Sequence, residues 1–179
     1  MKLHLGCGSK HIDGFYHIDA LPYDHVDHVG PVDKLPQIES NSVGLIYACH
    51  VLEHFGRNEF RAVLEEWFRV LAPMGVLRLA VPDFEAVARI YVGGGLERGI
   101  EDVVGLCVGG QRDGYDFHKM IFDENLLTRV LHEVGFSQVR RWDWRQTEHA
   151  DMDDYSQSYL PHMDKEHGTL MSLNLEAVK

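Results

Sequence analysis

Basic residues are scarce in this sequence compared with acidic ones. The chain has 17 Lys and Arg against 28 Asp and Glu, which gives a formal net charge of −11 at neutral pH. Proteins that bind nucleic acids draw much of their affinity from lysine and arginine side chains that neutralise phosphates. The acidic balance therefore argues against DNA or RNA as a partner or substrate.

Cysteines and long apolar runs are also few. Cys7, Cys49 and Cys107 are too widely spaced for a disulfide framework. No segment approaches the ~20 consecutive apolar residues that a membrane-spanning helix needs. The first residues resemble a strand and lack the regions of a secretory signal. We therefore expect a cytoplasmic protein without a membrane span.

Strand and helix patterns alternate along the chain. Helical apolar periodicity covers residues 60–71 and 123–134, and Pro82-Asp83 can open a third helix that reaches about residue 91. This alternation predicts an α/β fold with a mostly parallel sheet, whose ligands bind beyond the carboxyl ends of the strands. Strands are predicted at residues 2–5, 15–19, 26–29, 43–48, 76–81, 136–142 and 170–178.

Residues typical of nucleotide-binding sites follow the first two predicted strands. The turn Leu5-Gly6-Cys7-Gly8 lets a ligand approach the backbone, although an isolated pair of glycines is more often a plain turn. Asp19 ends the second strand, where an acid can bind ribose hydroxyls or simply form a turn. Asp33 could accept a hydrogen bond from adenine or remain a solvated loop acid.

These motifs resemble, in their order, the class I S-adenosylmethionine-dependent methyltransferases, and more narrowly methyltransferases of surface-polysaccharide synthesis. The length fits a single domain over residues 1–179, and the resemblance implies a Rossmann-like three-layer sandwich and a mostly parallel seven-stranded sheet with a reversed last strand. The usual N-terminal cap helices are missing, so we expect an open site, or one completed by another subunit or by residues 144–167. The matching segments are HLGCGS (4–9), GFYHID (14–19), NSV (41–43), IYACHVLEHF (46–55), RVLAPMG (69–75), VPD (81–83), FDE (122–124) and EVGF (133–136).

The resemblance assigns site residues one by one. It implies that the turn after the first strand lies near the methionine part of the cofactor S-adenosylmethionine, which becomes S-adenosylhomocysteine. It places Asp19 at the ribose, Asp33 with the Lys34-Leu35 backbone at the adenine, and the end of the fourth strand at the methionine moiety. The implied cofactor-binding residues are Leu5, Gly6, Cys7, Gly8, Asp19, Asp33, Lys34, Leu35, Ala48, Cys49 and His50.

The segment from His50 to His54 also matches H-x-x-E-H, the inverted zinc-peptidase motif. On a helix, His50 and His54 would share one face and could bind a metal, with Glu53 as the base. No third ligand can be identified from the spacing. The zinc hydrolase is therefore the weaker hypothesis, and we predict no metal ligands.

Histidine suits the role of a general base because it titrates near neutral pH. We expect His50 to be the base, with His118 as the second candidate, in methylation of a hydroxyl on a small-molecule or glycan-type acceptor. Four late aromatic residues could stack against a sugar or fill the core: Trp142, Trp144, Tyr155 and Tyr159. The alternative function is a noncatalytic S-adenosylmethionine-binding domain, and an uncovered pocket would suit a homodimer.

Overall fold

A central sheet organises the computed structural model, which describes residues 1–179. Its strands alternate with α-helices only from residue 60 onwards. The strands are β1 (Lys2–Leu5), β2 (Tyr16–Asp19), β3 (His28–Val29), β4 (Val43–Cys49), β5 (Leu71–Pro82), β6 (Gln138–Arg141), β7 (Tyr159–Leu160), β8 (Thr169–Leu170) and β9 (Ser172–Val178). The α-helices are α1 (Phe60–Val70), α2 (Phe84–Val92), α3 (Val104–Val108) and α4 (Glu124–Val134).

Seven strands form the main sheet in the order β3-β2-β1-β4-β5-β9-β6, and β7 pairs with β8 separately. The first five strands run parallel, whereas β9 is antiparallel to both β5 and β6. The predicted mostly parallel seven-stranded sheet with a reversed last strand is therefore confirmed. Its order reverses between β1 and β4, so their carboxyl ends flank the crevice in which such sheets bind ligands.

Helices α1 and α4 cover one face of this sheet. Their apolar stripes pack with the inward residues of β1, β4, β5 and β9 into one large core, around the fully buried Trp67. As predicted, Asp123 caps α4 by accepting the Leu126 N–H at 2.7 Å, and Gly135 follows the helix at φ 124°. None of the helices combines the length and apolar character that crossing a lipid bilayer requires.

Several predicted strand boundaries were wrong. Helix α1 ends at Val70, and β5 begins at Leu71, earlier than the predicted residue 76. Leu71 pairs with Val43, and the register then shifts before Val76 pairs with Leu45. A Cβ on Gly75 would lie 2.8 Å from the Val43 carbonyl oxygen, so this close approach depends on glycine. The third and sixth strands are also shorter than predicted, covering only residues 28–29 and 138–141.

No α-helix lies between β1 and β4, and the second face of the sheet is covered differently. Residues 142–171, which join β6 to β9, pack there as turns, loops and the small β7–β8 sheet. The Tyr47 hydroxyl donates to Asp154 at 2.5 Å, and Asn174 Nδ2 donates to the Ser156 carbonyl at 2.9 Å. These two hydrogen bonds fix residues 154–156 of this late segment against the sheet.

Candidate cofactor and active site

A cavity of about 820 Å³ opens at the carboxyl ends of β1, β2 and β4. This volume falls within the range of small-molecule pockets. Loops from two distant parts of the chain form its other side, and one of them lies within residues 144–167, one of the alternatives considered for completing the site. Its lining includes Gly6, Cys7, Gly8, Asp19, Asp33, Cys49, His50, His54, residues 112–117, residues 153–155 and His162.

Both glycines of the turn after β1 have backbone conformations that favour glycine. Gly6 has φ 63° and Gly8 has φ 53°, a region that L side chains rarely adopt. A Cβ on Gly6 would lie 2.5 Å from Val51 Cγ2, so glycine lets the segment after β4 approach the turn. A Cβ on Gly8 would meet no atom within 4 Å. The turn therefore offers bare backbone to a ligand.

Asp19 holds this turn in place from the end of β2. Its Oδ2 accepts the Gly8 N–H at 2.7 Å, and its Oδ1 accepts the Leu21 N–H at 2.8 Å. The residue is 8% exposed and lines the cavity. Each carboxylate oxygen retains the capacity for a further hydrogen bond. Asp19 can therefore fix the turn and accept ribose hydroxyls simultaneously.

The segment predicted to contact adenine is only partly turned towards the cavity. Asp33 lines the cavity, but Lys34 is exposed and lines a separate shallow depression on the surface. The Leu35 side chain is fully buried, and its N–H donates to Glu66 Oε1 at 2.7 Å. Of these three residues, Asp33 alone lines the cavity.

Two of the predicted contact residues instead belong to the core. The side chains of Leu5 and Ala48 pack in the main core and do not line the cavity, whereas Cys7 and Cys49 do line it. Burial, with the charge of Asp19 adding to it, raises the pKa of Cys7 to about 12. Burial also raises the pKa of Cys49 well above its usual value. Both thiols stay protonated near neutral pH, which argues against a cysteine nucleophile.

His50 follows β4 directly and has a left-handed backbone with φ 54°. Such strained conformations of residues other than glycine concentrate at functional sites. Its Nε2 lies 3.2 Å from Ser172 Oγ, and its ring centroid lies 5.2 Å from that of Tyr155. Burial lowers the pKa of His50 to about 3, an effect to which the nearby His118 and His54 contribute. The ring is therefore neutral near pH 7 and only weakly basic.

Glu53, His54 and His118 form a compact group beside His50. The Lys119 and Met120 N–H groups donate to the Glu53 carbonyl oxygen at 2.8 Å and 3.1 Å, which brings His118 next to the Glu53 side chain. Glu53 is 1% exposed, and burial raises its pKa to about 8. His118 does not line the cavity, because its ring points to Glu53 and to the Leu106 carbonyl.

The helix required by the zinc-peptidase hypothesis is absent. Leu52–His54 forms one short 3-10 turn, and His50 lies outside it. His50 and His54 are four residues apart, but they do not lie on one face of an α-helix, as that hypothesis required.

Several lining residues were missed by sequence reasoning. Arg112 and Asp116 lie in the loop that precedes His118, and they form an ion pair at 2.6 Å. Asp154 enters the cavity wall from the late segment. These residues lie far along the chain from β1, β2 and β4, so no local sequence pattern connects them with the cavity. Only folding brings their loops to the edge of the sheet.

One of the four late aromatic residues reaches the cavity. Tyr155 lines it and is 59% exposed. Trp142 is buried against Tyr47 in a second core, whereas Trp144 and Tyr159 do not line the cavity. Of the four residues considered for stacking against a sugar, Tyr155 alone lines the cavity.

Comparison with known proteins adds independent findings. Residues 17–79 match the family model described as a methyltransferase domain. The chain carries the fold of S-adenosylmethionine-dependent methyltransferases. A search of curated protein sequences found no significant match.

Three solved structures illustrate the likeness of the fold. A methyltransferase of this class from Archaeoglobus fulgidus superposes with a TM-score of 0.59 at 13% identity, covering 99% of this chain and 85% of that one. A methyltransferase of this class from Mesorhizobium loti superposes with a TM-score of 0.57 at 15% identity, covering 99% of this chain and 90% of that one. The third is 1,6-didemethyltoxoflavin-N1-methyltransferase from Burkholderia thailandensis, solved with S-adenosylhomocysteine bound. It superposes with a TM-score of 0.57 at 13% identity, covering 99% of this chain and 70% of that one. The family match over residues 17–79 and the likeness of the fold therefore agree with each other.

Proposed function

We propose that residues 1–179 act as one domain that methylates a hydroxyl group of a small-molecule or sugar-containing acceptor. The observation that carries this proposal is the position of His50. Its neutral ring lines the cavity at the carboxyl end of β4, beside Tyr155. A hydroxyl acceptor has to lose a proton during methylation, and this ring can receive it.

The cofactor half of the cavity fits S-adenosylmethionine. The bare backbone at Gly6 and Gly8 would accommodate the methionine part, and Asp19 would hold the ribose hydroxyls. Asp33 would accept a hydrogen bond from the adenine amino group. S-adenosylmethionine supplies a methyl group that is already activated on a sulfonium sulfur. The protein mainly has to align the acceptor with that carbon and exclude water.

The acceptor half of the cavity is polar and bears both signs of charge. Arg112, Asp113, Asp116 and Asp153 offer donors and acceptors for a hydroxyl-rich molecule, and Tyr155 offers a ring face. The carboxylates in this wall disfavour a phosphate-rich polymer, in agreement with the net charge of −11. The resemblance to enzymes of polysaccharide synthesis supports a sugar-containing acceptor.

His50 would take the hydroxyl proton as the bond between the acceptor oxygen and the methyl carbon forms. The oxygen becomes strongly acidic as that bond forms, so a weakly basic ring suffices. His118 lies behind this point and makes no contact with the cavity, so we assign the base to His50 alone.

The test begins with calorimetry using S-adenosylmethionine and S-adenosylhomocysteine. A panel of sugars, nucleotide sugars, phenols and amines is then assayed, and the site of methylation is read by mass spectrometry. His50→Gln should lower kcat by on the order of 100-fold, as expected for loss of a general base, with the affinity for S-adenosylhomocysteine nearly unchanged. His162→Gln, at another point of the cavity wall, is the matched control.

Each outcome bears on a different part of the proposal. Methylated amines would replace the hydroxyl acceptor with a nitrogen acceptor. Binding without turnover across the panel would favour the noncatalytic S-adenosylmethionine-binding domain. Failure to bind either nucleoside would overturn both functions. Sedimentation of the same samples would test the predicted homodimer.

A further inference from the structure

A buried carboxylate faces ring nitrogens beside the cavity without any hydrogen bond. Both side-chain oxygens of Glu53 lack a hydrogen-bond partner, although the residue is 1% exposed. The nearest ring nitrogens are His50 Nδ1 at 3.3 Å and His118 Nε2 at 3.8 Å from Oε1. A buried carboxyl group without hydrogen-bond partners is costly in either protonation state, so this group needs an explanation.

Backbone carbonyl groups fix the orientation of the two neighbouring imidazole rings, those of His54 and His118. His54 Nδ1 lies 3.1 Å from the Phe117 carbonyl oxygen, and His118 Nδ1 lies 3.0 Å from the Leu106 carbonyl oxygen. A carbonyl oxygen only accepts hydrogen bonds, so both Nδ1 atoms carry the proton and both Nε2 atoms of the neutral rings hold a lone pair. Histidines that bind metals typically donate their other N–H to a backbone carbonyl or carboxylate in this manner.

We propose that Glu53, His54 and His118 form a binding site for one divalent transition-metal ion of the zinc class. One ligand atom from each side chain lies within 4.8 Å of the other two. Two imidazole nitrogens and one carboxylate oxygen suit zinc and its first-row neighbours better than Mg²⁺ or Ca²⁺, which prefer oxygen ligands. The ligand atoms have to approach one another by on the order of 1 Å to reach zinc bonding distances.

The site would keep one coordination position open. Three protein ligands are typical of zinc sites that bind a further water or substrate oxygen. His54 lines the cavity, whereas Glu53 and His118 lie behind it. The open position is therefore reached from the cavity, close to His50. An oxygen of water or of the acceptor is the ligand that suits it.

This site differs from the one suggested by the H-x-x-E-H motif. Glu53 is a ligand here instead of a base, and His118 supplies the ligand that sequence spacing could not identify. The backbone hydrogen bonds from Lys119 and Met120 to the Glu53 carbonyl assemble the group. Metal binding does not depend on methyl transfer, so each can fail without the other.

A second group of histidines provides an internal control. The rings of His11, His17 and His25 lie with centroids 4.9–5.7 Å apart. However, His17 Nε2 accepts the Ile12 N–H at 3.0 Å, and its Nδ1 faces Asp27 at 3.4 Å. Both nitrogens of the central ring are thus engaged within the protein, which makes this group a poorer metal site.

The experiment uses the full chain, freed of metal with a chelator. Zn²⁺ is titrated by calorimetry, and Co²⁺ by absorption spectroscopy, which reports coordination geometry. We expect one ion per chain. His118→Ala and the nearly isosteric Glu53→Gln should each weaken binding at least 100-fold, whereas His25→Ala should retain it. Circular dichroism of each metal-free variant establishes that it is folded, and Glu53→Gln keeps the test valid if His118→Ala does not fold.

Three results would overturn the site: no stoichiometric binding by the wild type, binding that Glu53→Gln and His118→Ala leave intact, or binding lost in His25→Ala. In the first case Glu53 would be a protonated carboxyl that shares its hydrogen with a neighbouring ring. S-adenosylhomocysteine titrations of the same samples separate failure of the metal site from failure of the proposed methyltransferase.

Discussion

Asp19 Oδ2 accepts the N–H of Gly8 at 2.7 Å, so the acid that ends β2 holds the turn that follows β1. The two elements are neighbours in the parallel sheet, and their carboxyl ends meet at the cavity. Asp19 therefore has two separable effects, one on the conformation of the turn and one on any ligand that lies against it.

We predict that Asp19→Asn lowers the affinity for S-adenosylhomocysteine by about 10- to 100-fold. Hydrogen bonds to a charged group contribute about 1.5–3 kcal/mol, and the amide offers fewer acceptor sites than the carboxylate. Calorimetry measures the affinity. Asp13→Asn is the matched control, because Asp13 lies in the same β1–β2 connection with a fully exposed side chain. Unchanged affinity in a folded Asp19→Asn protein would show that the carboxylate makes no contact with the ligand.

Two glycines allow backbone strain to be separated from ligand contact. Gly8 and Gly14 both have positive φ, at 53° and 79°, and a Cβ on either would meet no atom within 4 Å. Gly8→Ala and Gly14→Ala should therefore lower the free energy of unfolding by similar amounts, about 1–2 kcal/mol each. Gly8 lines the cavity and Gly14 does not. We predict that only Gly8→Ala weakens binding of S-adenosylhomocysteine.

Urea unfolding and calorimetry measure the two effects of these substitutions. Comparable loss of affinity in Gly14→Ala would mean that strain in the β1–β2 connection, and not contact at Gly8, controls binding.

The parts of the fold that were predictable carry local signals. Asp123 and Gly135 bracket α4 in the sequence as they do in the structure, because a cap and a helix end depend on a few adjacent residues. The beginning of β5 was not predictable in this way. It depends on Gly75 approaching the backbone of Val43, a contact between two strands that no periodicity within residues 71–76 reveals.

The candidate site likewise contains residues that local sequence patterns predicted and residues that depend on long-range contacts. Gly6, Gly8 and Asp19 stand directly at strand ends, so the alternation of apolar segments was sufficient to place them. The group around Glu53 arises because Lys119 and Met120 donate to its carbonyl across a long stretch of chain. No pattern near Glu53 indicates that contact.

Tyr47→Phe tests how the late segment is held over the sheet. The Tyr47 hydroxyl donates to Asp154, next to Tyr155 in the cavity wall, from a fully buried position on β4. Removing it leaves the partly buried carboxylate without this donor, and we expect a loss of stability of about 1–3 kcal/mol. Hydrogen exchange should accelerate in residues 150–158, because this hydrogen bond anchors them. Tyr91→Phe, at an exposed position on α2, is the control. Equal exchange in both variants would show that Asp154 is not an anchor of the segment.

Acid should destabilise the protein through its buried histidines, of which His4 is the clearest. Its ring packs against His17 and Tyr47, with centroids 5.4 Å and 5.2 Å away, and the residue is 2% exposed. Burial, with the neighbouring histidines adding to it, lowers the pKa of His4 from 6.5 to about 3. Between these pH values the unfolded chain binds a proton that the folded chain excludes, so stability is complete above pH 6.5 and falls as the pH approaches 3.

At pH 5 this difference amounts to about 2 kcal/mol for His4 alone. We predict that His4→Phe, which keeps an aromatic ring in the same space, reduces by about that amount the loss of unfolding free energy between pH 7 and pH 5. Urea unfolding at the two pH values measures the change. His167→Asn, at an exposed position, controls for the loss of one histidine. The same pH dependence in wild type and His4→Phe would mean that the His4 ring is protonated in the folded protein, so that it contributes nothing to acid sensitivity.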